Sequence, residues 1–314
     1  MANDVSLLFE PLTIRGKTLR NRLVMPPMVV NRGHTGAEAL EWYGGHARAG
    51  LGLVIVEATN LPDFGDPLSA DALRPLVGAI HAGGARAAIQ VFPWRRGVAI
   101  TPAELSQAGI GQIVQGYRAA AQVCAEAGFD GIEPHGAHGF LLNQFFSPEK
   151  NLRRDAYGGD TFAGRARLAL EIVGHIYPIA RSAGMWVLYR HTPVGPGYDL
   201  AESVALAESL LAAGVDILDI SPASKDAPAD RAAPFMRLGA PVIGVNQLDQ
   251  VDRAVEALRE GRCSLVAVGR GLIADPEWPL KVREGRLSEI KTCSACDQCH
   301  AMLNRGEVVR CAQW

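Results

Sequence analysis

Short apolar runs punctuate this chain, and between them the hydrophobic positions change period. Eight runs have the length and residue types of buried parallel strands: RLVMPP, LGLVIVEAT, RAAIQVF, GIEPH, MWVLYRHTP, ILDISP, PVIGVN and LVAVGR. Between them lie stretches such as AELSQAGIGQIVQGYRAAAQVCAEAG and DTFAGRARLALEIVGHIYPIARSAG, whose apolar residues recur every three or four positions and which stop at glycine. AESVALAESLLAAG and QVDRAVEALREG end the same way. Strand followed by helix, repeated over about 270 residues without a shift in composition, predicts a (β/α)8 TIM barrel. A doubly wound open sheet uses the same alternation and is the alternative fold.

In a barrel the chemistry sits where strands end and loops begin. Those positions hold Pro26, Pro27 and Met28 after the first run, Glu57 and Ala58 after the second, and Gln90 in the third. The fourth delivers His135 and His138, the fifth Arg190 and His191, and the sixth Ser221 and later Lys225. Gly244 and Asn246 follow in the seventh, Gly269 and Arg270 in the eighth. Glycines beside the helix start GLIADPEW leave backbone N–H groups open, which suits a phosphate; tight turns between strand and helix would need the same glycines.

Composition narrows the partners. The 314 residues are 48% hydrophobic, and 31 Lys plus Arg stand against 33 Asp plus Glu with no long block of either sign. An electrostatic footprint for nucleic acid or an anionic membrane is therefore missing, and a small molecule or another protein is the expected partner. The N-terminal stretch lacks an uninterrupted apolar core, and no run approaches the roughly 20 apolar residues of a membrane span, so a cytoplasmic protein is expected. A homo-oligomer is compatible with the sequence, which carries no signal for it. Of six cysteines, Cys124 and Cys263 stand alone and read as small buried hydrophobes. Cys293, Cys296, Cys299 and Cys311 cluster as C-x2-C-x2-C-x11-C, a spacing that suits either a 4Fe–4S cluster or a four-thiolate zinc site.

Several blocks carry a resemblance. NRLVMPPMVVNRG, LVIVEAT, FDGIEPHGAHGFLLNQFFSPEKNLRRDAYGGDTFAGRARLALEIV and LVAVGRGLIADPEWPLK resemble the old yellow enzyme family of FMN-dependent oxidoreductases. With the cysteine tail, the chain resembles the iron–sulfur branch typified by 2,4-dienoyl-CoA reductase. The resemblance implies a barrel over residues 1–290 that binds FMN, and a 4Fe–4S segment over 291–314 packed on it. It implies that Gln90 meets the flavin pyrimidine edge, that Arg190 lies near N1 and O2, and that Pro26, Pro27, Met28 and Ala58 pack along the ring. Gly244, Gly269 and Arg270 would bind the phosphate. His135 and His138 match the pair that donates hydrogen bonds to a substrate oxygen, polarising a conjugated C=C bond for hydride from flavin N5. It also favours iron–sulfur over zinc for Cys293, Cys296, Cys299 and Cys311.

Departures from the family are equally informative. The tyrosine that usually gives a proton to the α carbon is Phe140, and Pro93 stands where strand three usually continues to a histidine. Lys225 lies near a second catalytic histidine of the dienoyl-CoA reductases and is a candidate acid or carboxylate anchor. The cysteine loop is one residue tighter than its relatives' between the second and third thiols. No G-x-G-x-x-G follows a strand, so the electron partner (ferredoxin, a reductase subunit or NAD(P)H) is expected outside these 314 residues. Three functions follow: reduction of an activated C=C bond; oxidation of an amine or C–H substrate with electrons exported through the cluster; or a zinc-stabilised barrel serving a larger redox complex.

Overall fold

The computed structural model describes residues 4–62, 64, 69–94, 100–224, 226–228 and 230–314. Lys225 lies outside the described residues, as does Arg96. Eight parallel strands close into a barrel: β1 (Leu23–Met25), β2 (Leu53–Asn60), β3 (Arg86–Phe92), β4 (Gly131–Gly136), β5 (Trp186–His191), β6 (Ile217–Ile220), β7 (Val242–Gly244) and β8 (Leu265–Ala267), with β8 pairing back onto β1. All eight apolar runs are strands, and the open-sheet alternative is excluded by that closure.

Although each run reads as continuously apolar, alternation along the strand sorts its residues between two cores. Val24, Leu53, Ile55, Ala88, Trp186, Leu188, Ile217, Ile243 and Leu265 fill the barrel interior, whereas Val54, Val56, Ala87, Ile89, Val187 and Leu218 face the helices. An N-terminal hairpin, Leu12–Ile14 with Lys17–Leu19, plugs the bottom with Ile14 and Leu19, and Trp186 Nε1 donates to the Ile14 carbonyl at 3.0 Å. Gly131 is required by this filling, since a Cβ there would meet Leu188 Cδ1 at 2.6 Å. Two residues further up the same strands the interior becomes polar, with Gln90, Glu133, Arg190 and Asp219.

The outer layer is α1 (Ala37–Arg48), α2 (Ala70–Ala82), α3 (Gln107–Ala127), α4 (Phe162–Ser182), α5 (Leu200–Ala213) and α6 (Val251–Arg259), then Arg270–Ala274 and Trp278–Arg283 after β8. Asp199 caps α5 by accepting from Glu202 N at 2.9 Å, and Gly128 and Gly214 close α3 and α5 at φ of 89° and 119°. One repeat departs from the predicted alternation: among the described residues after β6 there is only a 3₁₀ turn, Ala233–Leu238, opened by Pro234. No described helix is long and apolar enough to cross a membrane.

At the barrel bottom Asp130 joins hairpin, helix and strand. It accepts from Lys17 Nζ at 3.0 Å, His81 Nε2 at 2.7 Å, Arg86 Nη1 at 3.2 Å and Ala87 N at 3.0 Å. Burial alone would raise its pKa, but the bonds from His81, Ala87 and Lys17 outweigh it and bring the carboxyl down to about 2. The folded value lies below the unfolded one, so this contribution is present above about pH 4 and is lost as pH falls through about 2; it amounts to about 2 kcal/mol. Chemical denaturation between pH 5 and 2 is expected to show a steeper loss for wild type than for Asp130→Asn.

Residues 291–314 pack on the opposite, upper end. Val309 N donates to the Val30 carbonyl at 3.0 Å, Arg32 Nη2 to the Val309 carbonyl at 2.9 Å, and Trp314 Nε1 to the Ala274 carbonyl at 3.1 Å. The tail is thereby tied to the loops that follow β1 and β8.

Candidate active site

The polar layer at the top of the barrel is a single hydrogen-bonded chain. Gln90 Nε2 donates to Glu133 Oε1 at 2.7 Å, one Arg190 nitrogen donates to Asp219 Oδ2, and Arg190 Nη2 donates to Ser221 Oγ at 2.9 Å. Ser221 Oγ in turn lies 3.0 Å from His138 Nε2. The hydroxyl can accept a second bond beside that from Arg190, so which of Ser221 Oγ and His138 Nε2 donates is set by the imidazole tautomer. Gln90, Glu133, Arg190, Asp219 and Ser221 are buried, whereas His138, at the end of the hydrogen-bonded chain, is exposed. Burial, then the neighbouring Asp219 charge, pushes the Glu133 carboxyl well above the usual carboxylate range, and burial also raises Asp219.

His135 ends β4, and the turn after it brings back His138 in a left-handed conformation, φ 58°, held by its N–H to Thr192 Oγ1 at 2.9 Å. The ring centroids of His135 and His138 are 5.4 Å apart. Both imidazoles are neutral: burial and then the Arg190 cation hold His138 down to about 3, and burial, with the charges of His138 and Arg190, takes His135 well below its ordinary value. His135 Nδ1 is buried with no partner among the described residues. Phe140 sits 4.7 Å from the His135 ring and 5.2 Å from Phe92, and its ring is 39% exposed, so an apolar edge borders the pair where a proton donor was expected.

Beside this layer opens a cavity of about 930 Å³, lined by Pro26, Met28, Arg190, Gly269 and Arg270 together with Val245 and the loop beyond it. A Cβ on Gly269 would stand 3.6 Å from Met28 Sδ and 3.7 Å from Pro26 Cγ, so its absence opens the space between them. The size of the cavity and the fixed guanidinium in its wall fit a flavin mononucleotide. Pro27 stands half-buried on the loop after β1, and Ala58 half-buried near the end of β2. Gln90 is buried within the polar layer, and Gly244 ends β7 against Cys263, where a Cβ would lie 3.0 Å from the cysteine Cβ. Neither is in the cavity wall, although Val245 and Asn246, next to Gly244, share that wall with Gly269 and Arg270.

The four tail cysteines line one small cavity with Arg270 and Ile273, and Cys293 and Cys299 also line the large one. Cys293 and Cys296 approach in the loop before the helix Gln298–Asn304, with Ala295 and Asp297 in left-handed conformations, Cys299 sits in the first turn of that helix, and Cys311 returns after it. Hydrogen bonds from Gln298 N–H and Ser294 lower the Cys296 thiol, while burial raises Cys299. Among the described residues no three potential ligands are set closely enough to hold a metal as they stand. The four-thiol set, gathered around one space, nevertheless has the donor chemistry of an iron–sulfur or zinc site. Cys124 and Cys263 are buried, as expected, with thiols pushed up to about 12 by burial.

Glu133, Asp219 and the tail residues Asp297, His300 and Leu303 belong to the site's surroundings but were not expected from the sequence. A charged residue inside an apolar strand, as in ILDIS, is the signal that marks Asp219.

A family model described as "NADH:flavin oxidoreductase / NADH oxidase family" matches residues 7–100 and 95–289. The NADH oxidase of Thermoanaerobacter brockii is 33% identical over 351 residues, covering 92% of this chain and 52% of that protein, so the chain spans about half of that relative's length. A solved morphinone reductase superposes at TM-score 0.78 with 26% identity, covering 94% of this chain and 93% of its own. A 2-naphthoyl-CoA reductase complex superposes at TM-score 0.89 over 99% of this chain and 57% of that one, with 23% identity, which is a likeness of fold. The chain belongs to the NADH:flavin oxidoreductase / NADH oxidase family of flavin-dependent enzymes.

Proposed function

We propose that this chain is the FMN-binding barrel of an oxidoreductase that reduces an activated C=C bond, and that its tail holds a 4Fe–4S cluster. The observation that carries the reading is the neutral His135–His138 pair tied through Ser221 to Arg190 beside a flavin-sized cavity. Bound FMN would supply the hydride, from N5. Arg190 would lie against the N1–O2 edge, Gln90 against the pyrimidine edge, and Gly269 and Arg270 against the phosphate. His135 and His138, neutral and therefore donors through one N–H each, would hold the carbonyl or carboxylate oxygen conjugated to the double bond and stabilise the charge that gathers there. Cys293, Cys296, Cys299 and Cys311 would hold the cluster, which supplies single-electron exchange with ferredoxin, a reductase subunit or an NAD(P)H-oxidising partner.

Phe140 supports a second reading. A phenyl ring donates no proton, so oxidation of an amine or C–H substrate, which needs none, also suits the site. Reconstitution with FMN followed by anaerobic titration with enones and with amines separates the two. Phe140→Tyr restores a hydroxyl beside His135, and for C=C reduction steady-state turnover of an enone is expected to rise about 100-fold, the lower end of what a positioned general acid contributes. A rate gain with amines and none with enones would reverse the assignment.

A further inference from the structure

Gln90, Glu133, Arg190 and Asp219 come from four consecutive strands, with Gln90 directly beside Glu133 and Arg190 directly beside Asp219 in the barrel register. Each carboxyl spends one oxygen on a neighbour: Glu133 Oε1 accepts from Gln90, and Asp219 Oδ2 accepts from Arg190. The other two oxygens, Glu133 Oε2 and Asp219 Oδ1, are buried with no donor among the described residues. The two carboxyls stand on strands with only β5 between them, and each acts on the other's titration through a side-chain hydrogen bond. Two acceptors that face each other in a dry interior are satisfied by one shared proton and by little else, because a second ionised carboxylate there would be uncompensated.

We propose that Glu133 carries a proton that it donates to Asp219, and that this one-proton pair positions Gln90 and sets the charge that Arg190 presents to the flavin. The inference rests on the FMN reading above. With Glu133 neutral, Asp219 alone balances the guanidinium and the layer has no net charge; with both carboxyls ionised it would be negative and would oppose the anion of a reduced flavin. The same bond network turns the Gln90 amide so that its nitrogen is spent on Glu133 and its carbonyl oxygen is left for the pyrimidine edge. The proton belongs on Glu133, because Asp219 is the carboxyl in contact with the cation. The histidines nearest Arg190 are neutral and add no charge. Glu133 and Asp219 are thus positioning residues.

Two nearly isosteric changes distinguish the pair. Asp219→Asn removes the counter-charge, and in the FMN-loaded protein it is expected to favour reduced over oxidised flavin about tenfold, a rise of about 30 mV for a two-electron couple. Glu133→Gln exchanges one neutral donor for another and is expected to leave that ratio within about twofold of wild type. Equal rises in both variants, or no rise in Asp219→Asn, would overturn the assignment. The infrared spectrum of the flavin-free protein at neutral pH is the second measurement: a protonated-carboxyl band that disappears in Glu133→Gln supports the pair, and its absence from wild type refutes it. That arm needs no flavin and no Asp219 variant, so it still decides if Asp219→Asn misfolds, and a failure of FMN to bind is told apart from a failure of the pair.

Discussion

Replacing Arg190 with methionine is expected to strip the barrel of flavin and to destabilise it at once. The guanidinium is buried, donates to Asp219 and Ser221, and borders the cavity. Its removal leaves Asp219, which has no solvent to turn to, as an unpaired buried carboxylate that must protonate or destabilise the fold by about 3–5 kcal/mol. It also removes a charge-assisted contact to the flavin, worth about 1.5–3 kcal/mol or roughly 10- to 100-fold in Kd. The two effects separate in the double variant Arg190→Met with Asp219→Leu, since exchanging the whole pair for apolar groups restores most of the stability but none of the flavin contact. Thermal unfolding of the flavin-free proteins reads the first effect, and quenching of FMN fluorescence on titration reads the second. Wild-type FMN affinity in Arg190→Met would remove Arg190 from the flavin site.

The same residue shows how far the sequence carries. Strand positions were legible because each run had to be buried on both faces, and a run such as LVIVEAT has few other uses. The polar residues at the run ends were legible for the reason that places active sites there: beyond the apolar layers of Ala88, Leu188 and Ile217 the next inward position is polar, and at Arg190 it meets the cavity. Glu133 and Asp219 escaped notice because they lie inside the runs, and their role depends on which residue of the next strand stands beside them, a matter of register rather than of order along the chain. Gly244 stands one residue before the cavity wall, which takes in Val245, and a Cβ on it would meet Cys263. The turn after β6 was misread as a helical repeat, because eightfold alternation was extrapolated across a segment whose prolines, Pro228 and Pro234, disfavour a regular helix. Phe140 is legible only against a family pattern, yet its consequence, an apolar edge on the histidine pair, is visible in the geometry.

Among the cysteines the expected outcome is all or none. Anaerobically purified protein is expected to carry about four iron and four sulfide per chain, in keeping with a four-thiolate shell. Cys311→Ser is expected to lose most of that iron, although the substitution removes a single ligand. Cys293 and Cys296 in one short loop and Cys299 in the helix turn that follows can be gathered by that segment alone, but Cys311 reaches the same cavity only because Val309 is held to Val30 and Arg32, which fixes the chain on the far side of the helix Gln298–Asn304. Without the fourth thiol the shell is open, and the small cavity gives oxidants and water access to the metal. Cys124→Ser provides the control, because that thiol is buried in the helical layer and its loss leaves the iron content unchanged. The effect reaches the flavin as well: Cys293 and Cys299 share a wall with the large cavity, so the loop that loses its metal loses the constraint on that wall, and FMN affinity is expected to fall in Cys311→Ser while Arg190 is untouched. Iron and sulfide analysis beside an FMN titration of the same preparations checks both arms. Stoichiometric zinc in place of iron would keep the structural coupling but exclude the cysteines from electron transfer, because zinc has no accessible second oxidation state.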